Sequence, residues 1–258
     1  MAKVIAIMNE KGGVGKTATT TALAYMLVHN MHKVLVIDFD GQAHSSTILG
    51  VKNPNKIDVT ISTLMNKVIL DESLPDPSTY IQKTESGVDL IPANSNLFTL
   101  ERNLCNADFR EIKLKAIVDE LRPLYDFVVI DCMPQIGTPM INVMMCADSI
   151  IIPTQAEILS AQGLANLLKD FNSIRKNSNH ELKIEGILVT MDSANTLVSA
   201  HVNAMIESSF GDKIKIFKTR IPRSIKVAEA CLYQKTICEY APKNSAAIAY
   251  NEFLKELI

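Results

Sequence analysis

Short runs of consecutive apolar residues recur along the chain, separated by longer stretches with helical spacing of apolar positions. Residues 4–8, 33–38, 88–92, 127–131, 149–153, 186–190 and 216–221 are the strand candidates. Helical patterns cover 16–29, where Leu23, Met26 and Leu27 share a stripe, and 110–121, 161–175, 199–210 and 246–257. The strand candidates are apolar throughout, as expected when both faces of a parallel sheet are covered. Strand–helix alternation at this spacing predicts an α/β fold: a doubly wound, mostly parallel sheet flanked by helices. Residues 50–95, punctuated by Pro54, Pro75, Pro77 and Pro92, read as a less regular insertion with one or two helices, such as 57–68. The expectation is that this insertion lies on the surface of a single domain spanning 1–258.

Composition adds three constraints. With 47% hydrophobic residues, 5% aromatics and no Trp, the core must be aliphatic. The formal net charge of −2 exerts no global pull on nucleic acid, so any such binding needs a local basic patch. Five cysteines without a C-x-x-C pair argue against a disulfide framework or zinc site and fit a reducing cytoplasm. The apolar run after the first residues is too short for a signal peptide, and no uninterrupted apolar stretch approaches the ~20 residues of a membrane span.

The strongest chemical signal follows the first strand candidate: Asn9-Glu10-Lys11-Gly12-Gly13-Val14-Gly15-Lys16-Thr17-Ala18, and then a helix. Glycines let backbone N–H groups turn around phosphate oxygens, and the helix N-terminus adds positive potential. Lys16 supplies a point charge for the β- and γ-phosphates, and the Thr17 hydroxyl is placed to ligate Mg²⁺. The strict pattern G-x-x-x-x-G-K-[ST] is not met, because Glu10 stands at its first glycine. Instead a second lysine, Lys11, stands at what should be the exposed start of the loop. The loop needs only one lysine for its own phosphates, so a second cation there makes sense if supplied to a partner, as arginine fingers are.

Two further strands end in carboxylates. Asp38 and Asp40 stand at i and i+2 in Asp38-Phe39-Asp40-Gly41-Gln42 and share a face at the C-terminal edge of a strand, where ligands sit in open α/β sheets. Asp131, followed by Pro134, has the D-x-x-P form of a Walker B aspartate that holds Mg²⁺.

In these motifs, together with residues 153–163, the chain resembles the deviant-Walker ATPases of the ParA/Soj/MinD superfamily. The tail Ile221-Pro222-Arg223-Ser224-Ile225-Lys226-Val227-Ala228-Glu229-Ala230 is similar to the I-P-R-N-V-R-L-A-E-A stretch of ParA (Soj-like) proteins. The resemblance spans nearly the whole chain and is weakest over 50–110. It implies an Mg-ATP-binding ATPase with weak intrinsic, partner-stimulated turnover. Lys11 would reach across an ATP-dependent homodimer to the partner's nucleotide. Lys11, Gly12, Gly13, Val14, Gly15, Lys16, Thr17 and Ala18 would hold phosphates, with Thr17, Asp38, Asp40 and Asp131 around the metal. Asp40 would position or activate the attacking water, and Pro222, Arg223 and Ser224 would lie against the adenine. It further implies nonspecific double-stranded DNA as a ligand, a centromere-binding ParB-like partner protein, and a nucleoid-associated ATP state.

Residues 211–227 contain six cations, Lys213, Lys215, Lys218, Arg220, Arg223 and Lys226, against one acid, Asp212. Backbone-directed DNA binding needs little more than such a patch, and Lys218, Arg220, Arg223 and Lys226 are the candidates. Two departures stand out. Asn195 takes the place of an arginine that Soj-like relatives carry before Thr196, and Gly41 takes the place of the usual proline before Gln42. A MinD-like membrane-binding reading is disfavoured by the end of the chain, Glu252-Phe253-Leu254-Lys255-Glu256-Leu257-Ile258, with two acids and one lysine. A nitrogenase-iron-protein-like reading lacks the cluster cysteines, since Cys132 has no partner in a recognisable motif. The alternative that the residues leave open is an ATP-gated protein-binding or cargo-positioning switch with little or no DNA binding.

Overall fold

The computed structural model describes residues 1–134, 137–155, 160–193 and 214–258, with isolated positions between 204 and 211. Among the described residues, seven strands form one sheet in the order β3-β4-β2-β5-β1-β6-β7. They are β1 (Lys3–Ile7), β2 (Val34–Phe39), β3 (Gln82–Lys83), β4 (Asp89–Ile91), β5 (Phe127–Cys132), β6 (Ser149–Gln155) and β7 (Lys183–Thr190). Every pairing is parallel except β3 with β4 at one edge. The expected doubly wound, mostly parallel sheet is therefore the observed architecture.

Alternation of side chains along β1 shows how the sheet is covered. Val4 and Ala6 enter one core, Ile5 and Ile7 the other. The first core is closed by α3 (Ile61–Ile69), α5 (Lys113–Leu121), α6 (Thr138–Cys146) and α7 (Ser160–Asn177). The second is closed by α1 (Lys16–His29) and the terminal helix α10 (Ser245–Leu257). Leu23 and Leu27 of α1 meet Tyr250 and Phe253 of α10 there, all buried. A strand buried on both faces must be apolar at every position, which is why these runs do not alternate. The apolar face of α10 is thus occupied by the core. Among the described residues no helix is long and apolar enough to cross a membrane.

The structure departs from the sequence expectations in three places. Residues 50–95 are more than a surface insertion: Tyr80, Val88, Leu90 and Ile91 are fully buried, and β4 pairs with β2 as part of the sheet. The run 216–221 is not a continuous strand. Its ladder to β7 is broken: one isolated bridge joins Ile187 to Ile216, the Ile221 amide donates to the Val189 carbonyl (2.9 Å), and a second isolated bridge joins Asp192 to Pro222. Between those bridges the Glu256 carboxylate accepts the backbone N–H groups of Lys218 and Thr219 (2.9 and 3.1 Å), which a regular strand would pair within the sheet or leave to solvent. Finally, α2 (His44–Ile48), α4 (Leu100–Leu104), α6, α8 (Ile225–Leu232) and α9 (Ile237–Tyr240) were not anticipated. The helix expected at 199–210 falls mostly outside the described residues, as do Asn195, Thr196, Asp212 and Lys213.

Candidate functional site

Three neighbouring strands converge on one edge of the sheet. In register, Ile7 of β1 lies beside Asp131 of β5, and Asp131 lies beside Asp38 of β2. The loop that leaves β1, the turn that leaves β2 and the end of β5 therefore share the carboxyl edge, where open α/β sheets bind ligands.

The loop is shaped for an anion. Gly13 (φ 74°) and Gly15 (φ 84°) sit in the left-handed region, where a side chain would be strained. Around Gly12 and Gly13 nothing lies where a Cβ would point, and Gly15 precedes α1 without any side-chain cap. No acid stands in the first turn of α1. The first amides of that helix are thus left for a ligand to satisfy. Three side chains pin the loop to the sheet. Asn9 Nδ2 donates to the Pro153 carbonyl (2.8 Å), Thr190 Oγ1 to the Val14 carbonyl (2.7 Å) and Gln155 Nε2 to the Gly13 carbonyl (2.8 Å). Lys16 is 7% exposed, and its ammonium donates to the carbonyls of Asn9 (3.1 Å) and Lys11 (3.0 Å). Burial lowers its pKa, and the Asp131 carboxylate opposes that. Lys11 is half-buried and not fully exposed, with its backbone N–H held by Asn9 Oδ1 (3.0 Å).

The acids take different places. Asp131 accepts from Thr17 Oγ1 (2.8 Å), Ser45 Oγ (2.7 Å) and Thr20 Oγ1 (3.3 Å). Its pKa is raised by burial, with the Ser45 and Thr17 hydroxyls working against the rise. Asp38 is fully buried and accepts from the Ser46 amide and hydroxyl (both 2.7 Å) and from the Asp40 amide (3.3 Å). Burial, and then the neighbouring Asp131 charge, push its pKa up. Both of its oxygens are engaged by the β2–α2 turn, so its direct effect is to shape that turn. Asp40 is only half-buried, and its Oδ1 accepts from the Gln42 amide (2.9 Å).

A cleft of about 480 Å³ opens over this assembly, lined by Gly13, Lys16, Thr17, Asp40, Gln42 and Met191 among others. Gly12, Gly15 and Ala18 also line it, which brings most of the sequence-predicted phosphate residues together. Val14 is fully buried beneath the loop. Pro222, Arg223 and Ser224 do not line the cleft. The Asp192–Pro222 bridge brings them to its flank, and Ser224 Oγ caps α8 by accepting from the Lys226 amide (3.2 Å). Met191, Cys231, His44 and Ile48 line it instead. Sequence reasoning passed over these residues, and over the hydroxyls of Ser45, Ser46 and Thr20. The Ser45-Ser46 pair beyond a strand-ending Asp-x-Asp was the available signal.

The donor set fits Mg²⁺ bound jointly with phosphates. Among the described residues no group of three or more His, Cys, Asp or Glu could hold a metal alone. One hydroxyl, nearby carboxylates and an open cradle suit a cation that takes its remaining ligands from substrate phosphate and water.

An AAA-domain family model matches residues 2–184. The sporulation initiation inhibitor protein Soj of Bacillus subtilis (strain 168) is 35% identical over 258 residues, covering 100% of this chain and 98% of that protein. The chain belongs to the ParA/Soj-type P-loop ATPases. The chromosome partitioning protein ParA of Myxococcus xanthus is 33% identical, with 99% of this chain and 88% of that one covered. Among solved structures, cobyrinic acid a,c-diamide synthase from Mycobacterium smegmatis with bound ADP and magnesium superposes with a TM-score of 0.84 at 29% identity. That match covers 99% of this chain and 93% of the other. As a ParA/Soj-type ATPase this chain is an ATP hydrolase, with ATP and Mg²⁺ as its cofactors.

In that chemistry, bound Mg²⁺ would offset the charge of the phosphates. Gly12, Gly13, Gly15 and Ala18 line the cleft in which phosphates would sit, Lys16 would neutralise them, and Thr17 and Asp131, bonded to each other at 2.8 Å, would hold the metal side. The described motifs contain no arginine finger and no histidine bonded to the Asp40 turn. Asp40 lines the cleft wall beside Gln42, where its carboxylate would be the one to meet an attacking water.

Proposed function

We propose that this ATPase is a partition-type DNA segregation switch: an Mg-ATP sandwich dimer that binds double-stranded DNA without sequence preference and is reset by slow, partner-stimulated hydrolysis. The whole of 1–258 acts as one P-loop ATPase domain in this reading. Lys11 serves the partner's nucleotide, and the phosphate, metal and adenine roles follow the assignment implied by the resemblance. A centromere-binding ParB-like protein is the proposed stimulating partner, and the cytoplasmic nucleoid the proposed location of the ATP state, with no membrane partner.

The observation that carries the DNA reading is a row of exposed cations flanking the nucleotide cleft: Lys218, Arg220, Arg223 and Lys226. The Asp192–Pro222 bridge connects that row to Met191 on the cleft wall. Nucleotide state can therefore reach the patch through one short stretch of backbone. A single patch offers few phosphate contacts. Two patches joined in a dimer make the second contact intramolecular, raising avidity by roughly 10²–10⁴.

The second reading, an ATP-gated protein-binding or cargo-positioning switch with little DNA binding, draws on one feature. Lys226 is already paired with Glu229 at 2.6 Å, which weakens its contribution to the patch. Filter binding of duplex DNA in ATP, ADP and no nucleotide separates the two. ATP-dependent retention is expected, with a log–log salt slope near −5 if about six phosphates are neutralised. Arg223→Ala and Lys226→Ala should weaken binding evenly across sequences. Retention that ignores nucleotide, or is absent at low salt, leaves the protein-binding switch.

A further inference from the structure

Gly41, in the turn that carries Asp40, is buried beneath an aromatic ring. A Cβ added to Gly41 would lie 2.9 Å from Cδ1 and Cε1 of Phe98, closer than side chains tolerate. The ring thus rests directly on the Gly41 backbone, yet Phe98 itself remains 56% exposed. A large apolar side chain left half in solvent gains little from general burial.

Phe98 is held from below by a firm support. It lies in the 3₁₀ turn Ser95–Thr99, which runs into α4, and Leu97, Leu100 and Leu104 on either side are buried in the core. Asn94 Oδ1 accepts from Ser62 Oγ of α3 (2.9 Å) and starts the turn by accepting the Asn96 amide (3.2 Å). The same segment touches the β2–α2 turn a second time. The Ala93 amide donates to Ser46 Oγ (3.0 Å), which in turn donates to Asp38 Oδ2 (2.7 Å). On the other side, Glu101 of α4 packs against Gly137, the residue that starts α6 beyond the Asp131 loop. One anchored segment, 93–101, therefore grips the Asp38–Ser46 turn at Gly41 and at Ser46 and abuts the start of α6.

We propose that Phe98 is a positioning residue for hydrolysis: its ring, seated on Gly41, fixes the Asp40 turn so that the Asp40 carboxylate faces the cleft. This rests on the reading that Asp40 acts on the attacking water. Glycine is the most flexible residue in the unfolded and folded chain alike, and in this turn side-chain hydrogen bonds hold the amides on either side of it, Asp40 to Asp38 Oδ1 (3.3 Å) and Gln42 to Asp40 Oδ1 (2.9 Å). The ring supplies from outside the stiffness that the turn's sequence lacks. Phe98 is not among the residues that line the cleft, so its effect falls on the hydrolytic step and not on binding.

Three variants test this. In Phe98→Ala, single-turnover hydrolysis should fall about tenfold or more, since an ångström of misplacement can cost on the order of a hundredfold. Its Mg-ATP affinity should stay within about twofold of wild type, and its melting temperature close to it, because the ring is largely in solvent. Adding Gly41→Pro to Phe98→Ala should restore most of the rate. Proline locks φ near the values of ordinary turns, Gly41 is not in the left-handed region, and its Cβ finds room once the ring is gone. Phe98→Trp gives the chain its only indole, because the sequence contains no Trp, and its emission should change when Mg-ATP is added. Wild-type hydrolysis in Phe98→Ala, an equal loss in the double variant, or a silent indole overturns the proposal. A wild-type protein that fails to bind ATP at all would instead overturn the ATPase reading beneath it.

Discussion

Replacing Lys16 with methionine should remove the protein's response to nucleotide while leaving the nucleotide-free fold intact. The side chain is 7% exposed, and its ammonium donates to two loop carbonyls at 3.0 and 3.1 Å. Burying an ion costs several kcal/mol, offset by hydrogen bonds worth about 1.5–3 kcal/mol each. These nearly cancel, and methionine keeps the apolar stem, so the melting temperature without ligand should change little or rise. With nucleotide the balance differs, because the charge-assisted contact to phosphate is lost outright. A loss of about 1.5–3 kcal/mol weakens binding by roughly 10- to 150-fold. At an ATP concentration a hundred times the wild-type Kd, binding stabilises the wild type by about 2.7 kcal/mol. At about 2–4 °C per kcal/mol for a chain of this size, that is a shift of roughly 5–10 °C. A hundredfold weaker variant at the same ATP concentration gains only about 0.4 kcal/mol, a shift of roughly 1 °C. Thermal melts of both proteins with and without Mg-ATP read this directly. Equal ligand-induced shifts would refute the assignment of Lys16 to the phosphates.

Nucleotide-free stability should fall as pH rises from about 5 to 8. Burial and the Asp131 charge push Asp38 up to about 8, above its unfolded value, so the folded state holds a proton that the unfolded state has released throughout that window. Denaturant titrations should show the decline, and Asp38→Asn should flatten it; a decline of the same size in the variant would assign it to other groups. Asp40→Ala should bind ATP normally but hydrolyse it about 10²-fold or more slowly in single turnover, the scale of a lost proton-handling group. An unimpaired rate would mean a different carboxylate faces the water. Lys11→Glu should retain nucleotide affinity yet sediment as a monomer in ATP, whereas a dimer formed equally well without nucleotide would contradict the sandwich.

Much of this architecture was legible in the residues because it depends on local rules. Strands buried on both faces must be apolar at every position, so β1, β2, β5 and β6 could be read off as uninterrupted runs. The phosphate loop was legible for a similar reason: backbone that wraps an anion needs glycine at defined places, and Gly13 and Gly15 do adopt positive φ. Helix α1 was anticipated at its observed bounds, Lys16–His29, since a glycine-rich loop leaves little choice about where a helix begins.

Tertiary structure alone decided the rest. Local motifs mark Asp38 and Asp131 as site acids but do not say which groups each one holds. Only the register of β2 against β5 sets them side by side, and only the fold of the β2–α2 turn gives Asp38 to Ser46 and Asp131 to Thr17 and Ser45. The run 216–221 has the apolar content of a strand, but a carboxylate about forty residues later, Glu256, takes two of its amides. Residues 88–92 read as a strand inside an irregular stretch, but only the pairing of β4 with β2, and of the short β3 with β4, makes that stretch the edge of the sheet. The contact of Phe98 with Gly41 spans two loops that no periodicity connects. Local propensity and burial pattern act over a few residues and are written in the chain. Partnerships between distant polar groups depend on where the whole sheet carries them, and that appears only when it is assembled.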